Sequence, residues 1–512
     1  MNIKDLVISF LIALTGTILI QYFFLGRNEA VDSTAIQSGM TFAAPQLSQV
    51  RPINVDVDFV DTKRTHKQIV SEIETDHGIY FFSSDGALLE RLIFKQNLNG
   101  AKKFISTVHP SSNIQEEQRT FLLAFAEKTP YYYELLGKDE NENTIELKYR
   151  AYVDSIEVIK TFVVYKSIHR IDLIISINAG DKLVQPRIFY QAPEMPEIAS
   201  QDIISGVVNT QKGTIKTIPR AKLDINAGWF LPSLFGADNK YFIHAMVKDE
   251  DLFAQRGYYQ LYGHHGINTI LEGPEITESK TWNISFYFGP KKEEAIAAVD
   301  PRLEQTLDYS GILAPFARFF LAVLKFIHSY IPNYGWAIII LTLLIKFILL
   351  PFSLNGEEAS KKRSEIEKKL SYLKQRYKNE PALLAQERAA LIRQQGMPGM
   401  ASCLPLLLQI PIFFALSRIL SSSIELYQAP FGGWIHDLSA RDPYYILPLI
   451  IVFAMFFAAL QAEPNQRMTM MMAALFFGAF SANFAAGLAL YLAVNALFGL
   501  AQSFLQKKMK SA

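Results

Sequence analysis

The sequence predicts a multi-domain membrane protein: an α-helical transmembrane bundle of six spans, an all-β domain outside the membrane and a cytoplasmic helical hairpin. Three observations carry that reading. Apolar runs of about 20 residues, long enough to cross the hydrocarbon of a bilayer, occur at 6–25 and repeatedly after 332. Residues 54–300 instead carry short β-rich segments, several with apolar side chains at every second position, and little helical periodicity. A charged stretch at 354–400 interrupts the spans with an excess of Lys and Arg, the mark of a cytoplasmic segment.

Bulk properties narrow the function. A chain of 512 residues exceeds one domain, and a net charge of +1 argues against a dedicated nucleic-acid-binding protein, which needs a concentrated basic face. The single cysteine, Cys403, excludes an intramolecular disulfide and any multi-cysteine metal centre, and it reads as packing.

Residues 1–27 form an N-terminal transmembrane anchor. A cleaved signal is the alternative, but Gly26-Arg27-Asn28-Glu29 lacks a small-residue cleavage pattern. A flexible linker rich in Ser, Thr, Gln and Ala follows at 28–53. The β domain spans 54–300. Its signals are alternation in NVDVDFV from Asn54, a hairpin turn at Ser84-Asp85-Gly86, the runs IELKYRAYV, IEVIKTFVVY and IDLIISI between 145 and 177, and TWNISFYF at 281–288. Together they predict an antiparallel β-sandwich. His264 and His265 sit side by side in a glycine-framed turn, which is poor geometry for sharing one ion. Glu194, Glu197 and Asp202 have no spacing that separates them from surface carboxylates, so no catalytic residue, metal ligand or cofactor is expected.

Residues 301–331 read either as an amphipathic interfacial helix or as a helix packed on the β domain. Transmembrane span 2, 332–353, contains Lys346, roughly 9 Å along the axis from Pro351. An ammonium there costs about 2.5–3.5 kcal/mol, so it must snorkel, pair or face water. Gly335, Thr342, Lys346 and Ser353 share one helix face. A snorkelling lysine and a functional cation are both compatible with this pattern. Residues 354–400 form the cytoplasmic hairpin, whose basic residues include Lys361, Lys362, Arg363, Lys368 and Lys369, with Asn379-Glu380-Pro381 at its turn.

Span 3 is 401–421 and span 4 is 444–462. The loop between them, 422–443, holds Arg441 against Glu425, Asp437 and Asp442, which places it outside. Spans 5 and 6 are 467–484 and 485–505, and a short basic tail, 506–512, ends the chain in the cytoplasm. Both termini are then cytoplasmic. Gln409, Tyr491 and Asn495 are polar residues inside spans 3 and 6. They serve either as hydrogen bonds between helices or, with Thr342 and Lys346, as the lining of one wet cavity. None of the last five spans contains Asp or Glu. Water or a client's carboxylate is therefore left as the partner of Lys346.

WIHDLSARDPYYILP at 434–448, CLPLLLQIPIF at 403–413 and FYFGPK at 286–291 resemble the YidC/Oxa/Alb family of membrane-protein insertases, in the Gram-negative type with a large periplasmic domain. The resemblance extends over essentially the whole chain. It implies an insertase and chaperone of the bacterial inner membrane, with five spans forming the core and a periplasmic β-supersandwich. A hydrophilic groove would open to cytoplasm and lipid. It implies Lys346 at the position of a groove arginine, which keeps the charge but loses the bidentate fork. Thr342 and Tyr491 match groove positions, and Leu492 stands where a second aromatic is usual, leaving an apolar sliding contact. The implied partners are nascent membrane proteins, the bilayer and the Sec translocon, with a ribosome or targeting receptor meeting the hairpin. Two other classes compete: an ion- or proton-coupled transporter using Lys346, and a membrane-anchored carbohydrate-active β domain.

Overall fold

The computed structural model describes residues 57–511 apart from 61–66, 99–100, 110–118, 126–127, 196–203, 210–212, 225–226, 263–265, 308–313, 379, 396–403 and 462–463. The expected anchor and linker lie outside the described residues, as do Glu197, Asp202, His264, His265 and Cys403.

Among the described residues the β region holds three antiparallel sheets and one short parallel pair, Phe59–Val60 with Thr129–Pro130. The largest sheet has nine strands, in the spatial order Ile215–Pro219, Ser205–Asn209, Phe235–Asp238, Phe242–Asp249, Lys280–Pro290, Arg170–Asn178, Ile156–Tyr165, Thr144–Val153 and Glu134–Glu140. A five-stranded sheet runs Trp229–Phe230, Arg256–Tyr262, Gly266–Glu272, Arg187–Gln191, Leu122–Ala124. The remaining four strands follow chain order from Val70–Glu74 to Ala101–Val108.

Alternation decides which face is buried. Ile145, Leu147, Tyr149, Ala151 and Val153 point into the core from one strand, and Val158, Lys160 and Phe162 do so from the next. The five-stranded and nine-stranded sheets face each other: the Tyr190 hydroxyl donates to the Phe235 carbonyl at 2.8 Å, and the Tyr259 ring stacks on Phe235 at 4.6 Å. The Asp85-Gly86 turn joins Gly78–Ser83 to Leu88–Leu98, with φ of +76° at Gly86 and +43° at Ala87.

Eight α-helices follow among the described residues: α1 Glu293–Ala297, α2 Ala314–Tyr330, α3 Tyr334–Arg376, α4 Pro381–Gln395, α5 Leu404–Ser422, α6 Ile446–Leu460, α7 Pro464–Ser481 and α8 Ala486–Ser511. Three expectations are corrected. The segment 301–331 is not a single helix: Asp300 caps a 3₁₀ turn at Pro301–Thr306, and α2 begins later. The helix of the second span does not stop near 353, because α3 runs unbroken from Tyr334 to Arg376, through Pro351, for 43 residues. Proline removes one amide donor, and the Glu, Lys, Leu and Arg residues beyond it are good helix formers. The fourth apolar helix has 15 residues, about 22 Å of rise and less than the roughly 30 Å hydrocarbon core.

By length and composition, Tyr334–Pro351 and Ala486–Leu505 suffice to cross a membrane, while Ile446–Leu460 and Arg467–Ser481 are shorter apolar helices. The chain forms two compact units, one of 55–447 with 482–495 and the other of 448–481 with 496–512. Within the second unit α7 crosses α6 closely, since a Cβ at Gly478 would lie 2.0 Å from Val452. Helix α2 has one face packed on protein and one left open. Phe320, Leu321, Leu324 and Ile327 are buried against protein, while Phe316, Phe319, Phe326 and Tyr330 stay exposed as a second apolar face.

Candidate functional site

Helix α3 is aimed by Asn333. Its Oδ1 accepts from the amides of Gly335 and Trp336 at 2.9 and 3.2 Å, capping the helix, and its Nδ2 donates to the Phe431 carbonyl at 2.9 Å. Gly335 lies against the Phe431 ring so tightly that a Cβ would come within 2.0 Å of it. Ala337, Ile338, Leu341, Thr342 and Ile345 are buried, while Trp336, Leu344, Phe347 and Ile348 face outward. Lys346 stands between these faces, half-buried. Among the described residues no carboxylate meets its ammonium. Thr342 is buried and donates to the Ile338 carbonyl of its own helix at 2.6 Å, so its hydroxyl proton is used locally.

The polar residues of α5 and α8 do meet. The Gln409 amide donates to the Tyr491 hydroxyl at 3.0 Å and to Asn495 Oδ1 at 3.3 Å. Tyr491 and Asn495 are one turn apart and face α5 together. Among the described residues no hydrogen bond or ion pair joins Lys346 or Thr342 to this trio.

Two further arrangements escape sequence reasoning. Asp442 holds the loop between α5 and α6. One of its oxygens accepts from the Trp434 indole and the Tyr444 amide, both at 3.1 Å, and the other accepts from the Leu447 amide at 2.7 Å. The same loop reaches α8, where the Gly487 amide donates to the Leu438 carbonyl at 2.8 Å. The second arrangement is an ion triad. Lys325 of α2 bridges Glu294 of α1 at 2.9 Å and Glu425, just past α5, at 3.0 Å. Burial works against the Lys325 charge, but Glu425 and Glu294 more than offset it, so its pKa lies above the ordinary lysine value. The aspartate and tryptophan of the loop motif were visible in the sequence, whereas the triad joins residues too far apart in the chain to carry a local signal.

Residues 326–512 match the family of the 60Kd inner membrane protein, and residues 122–323 match the YidC periplasmic domain. A membrane protein insertase YidC from Nitrosococcus oceani is 31% identical over 397 residues, covering 73% of this chain and 70% of the relative. The chain belongs to the YidC family of membrane protein insertases. The YidC of Aromatoleum aromaticum is 28% identical over 468 residues, 84% of this chain and 83% of its own. Among solved structures, an active YidC insertase with its first transmembrane domain resolved aligns over 88% of this chain and 95% of its own, at 18% identity and a TM-score of 0.37.

As a YidC-family insertase the protein is a multi-pass inner-membrane protein with a periplasmic domain, acting on membrane-protein clients and lipid rather than as an enzyme. The remaining expected contact residues fall at two places. Leu492 is 4% exposed, so its side chain meets helix neighbours rather than open surface. Lys368 and Lys369 are exposed on α3 and, with Tyr372 and Leu373, line one side of a space of about 470 Å³ closed by Glu387, Ala390 and Leu391 of α4. Lys361, Lys362 and Arg363 lie further back on α3, and their side chains are outside the described residues.

Proposed function

We propose that clients enter this insertase along a hydrophilic groove formed by α3, α5 and α8, open to the cytoplasm and to lipid. Lys346 there attracts acidic residues of the incoming chain. The observation that carries this reading is a half-buried ammonium, within an apolar stretch, that has no carboxylate partner among the described residues. Such a charge is costly in hydrocarbon and tolerable beside water, and a client carboxylate offers it a transient partner. Gln409 and Asn495, both half-buried, with the buried Tyr491 hydroxyl bonded to Gln409, supply polar surface on two neighbouring helices, which lowers the cost of moving a polar segment partway through the membrane. Thr342, buried beside Lys346 on the same helix face, keeps both hydroxyl lone pairs as acceptors, and the apolar segment of the client leaves sideways into lipid. No nucleotide or covalent step is required.

The topology that goes with this reading has six spans, both termini in the cytoplasm, and the β region as a periplasmic supersandwich. The α3–α4 pair, with Lys361, Lys362, Arg363, Lys368 and Lys369, acts as a cytoplasmic hairpin that receives clients from a ribosome or targeting receptor. The Sec translocon is the natural neighbour for larger clients. Reconstitution of the pure protein in liposomes tests the central part. A small single-span protein with an acidic periplasmic tail inserts without nucleotide, and insertion no better than into protein-free liposomes contradicts the proposal.

A further inference from the structure

At the junction of the β region with the helices lies a cleft of about 470 Å³ that the client path does not use. Its floor includes His169, which is 7% exposed and whose Nδ1 has no hydrogen-bond partner. Leaving such an atom unpaired is unfavourable, and a ligand hydrogen bond would relieve it. The His77 ring lies 4.6 Å from that of His169, with its Nε2 held by the Ser167 carbonyl at 2.7 Å. Burial, His77 and Lys292 push the His169 pKa down to about 3, so its ring is neutral there at physiological pH.

The charges around the cleft come in separated signs. Lys95 is neutralised by Glu74 at 2.6 Å. Lys292 is exposed and forms no ion pair within 4.0 Å among the described residues. In the Glu294–Lys325–Glu425 triad two carboxylates share one ammonium, and Lys292 acts on Glu294 across space without forming an ion pair. The cleft thus carries one cation outside any ion pair and one carboxylate beyond the one that the Lys325 ammonium neutralises, close enough to feel each other, an arrangement complementary to a zwitterion rather than to an ion of either sign. Its height relative to the membrane also fits. Tyr334 opens the apolar stretch of α3, and Ile424 follows the end of α5. Tyrosine at such a boundary marks the headgroup level of a bilayer.

We propose that this cleft binds the zwitterionic headgroup of a phosphoethanolamine lipid from the periplasmic leaflet, its phosphate toward Lys292 and His169 and its ammonium toward Glu294 and Glu425. The bound lipid would join the β region to the start of α3 and the end of α5. The assignment is independent of the client path through the groove.

The test uses the full-length protein in nanodiscs of equimolar phosphatidylethanolamine and phosphatidylglycerol, followed by stepwise delipidation and native mass spectrometry. The wild type retains phosphatidylethanolamine preferentially, and Lys292→Glu reduces that retention about tenfold, the loss of one charge-assisted contact. Ala295→Trp, which fills the cleft without changing a charge, produces the same loss, while Lys216→Glu on the outermost strand of the nine-stranded sheet leaves retention unchanged. Soluble glycerophosphoethanolamine competes and inorganic phosphate does not. Equal retention of both lipids by the wild type, unchanged retention in both cleft variants, or equal competition by phosphate overturns the proposal.

Discussion

The Gln409 side-chain amide donates to the Tyr491 hydroxyl at 3.0 Å, tying α5 to α8 in the interior of the helical region. Tyr491 is 1% exposed while Gln409 is half-buried, so the bond is sheltered on the α8 side only. Polar pairs between membrane helices are worth about 0.6 kcal/mol on average and about 1.7 kcal/mol at most. A double-mutant cycle of Gln409→Leu and Tyr491→Phe, read from unfolding in mixed micelles, is expected to give a coupling energy in that range. Zero coupling would show that the Gln409–Tyr491 bond adds nothing to the association of the two helices.

Asp442 carries more of the structure than its position in a loop suggests. It accepts three hydrogen bonds, including one from Trp434, and it is buried. Asp442→Ala removes a cap-like contact to the buried Leu447 amide and the acceptor of the half-buried Trp434 indole, so a loss of about 1–3 kcal/mol is expected. Asp442→Asn keeps one acceptor oxygen and is expected to lose about half as much. Thermal unfolding of the purified protein ranks the two variants.

In the β region Lys160 is wholly buried, and its ammonium donates to the carbonyls of Gly86, Ala87 and Phe121. Each of these residues has a positive φ, so one side chain fastens two unusual turns. Burial pushes the Lys160 pKa below its ordinary value. Three carbonyl acceptors nevertheless match the three N–H bonds of the charged form, while the neutral amine has two. Lys160→Met leaves the carbonyls unsatisfied and is expected to cost about 3 kcal/mol or more in chemical denaturation followed by tryptophan fluorescence.

The same region contains a built-in acid sensitivity. Burial pushes His244 down to about 3, against the smaller opposing effect of its bond to the Gln191 carbonyl, and His169 is likewise pushed to about 3. An unfolded histidine titrates near 6.5. Between pH 6.5 and 3 the unfolded chain therefore binds protons that the folded chain refuses, and stability falls as pH falls. Each histidine contributes up to about 1.4 kcal/mol per pH unit within that window and nothing to the slope above it. His244→Gln loses the ring stacked on Phe288 at 4.1 Å and is less stable at pH 7, but its stability declines less steeply from pH 6.5 to 5. An unchanged slope would show that His244 is not neutral in the fold.

Much of this arrangement was legible locally. The Asp85-Gly86 turn and the alternation of Thr144–Val153 and Ile156–Tyr165 identify strands directly, because period-two burial repeats along the chain. Lys160 falls in phase with Val158 and Phe162, but its burial and its three carbonyl partners are set by the packed fold. Lys346 stood out because an apolar span makes any cation conspicuous. That the span and the first arm of the hairpin are one helix was not legible, since hydropathy changes at 353 while helix formers continue on both sides of Pro351. Nor was the Glu294–Lys325–Glu425 triad. Its members lie on α1, on α2 and beyond α5, and only the packed fold brings them together. Gln409 and Asn495 were each visible as polar positions, but their meeting is a tertiary fact.

The most direct test of the account is a charge cycle between Lys346 and the client. Insertion into liposomes is measured for a single-span client with an acidic periplasmic tail and for the same client with those acids neutralised, using wild type, Lys346→Arg and Lys346→Met. The account predicts that Lys346→Met slows insertion of the acidic client about fivefold, the worth of roughly 1 kcal/mol of ion pairing, while Lys346→Arg retains the rate and the neutral client is indifferent to all three. Equal insertion of the acidic client by wild type and Lys346→Met would contradict the claim that this ammonium draws clients into the membrane.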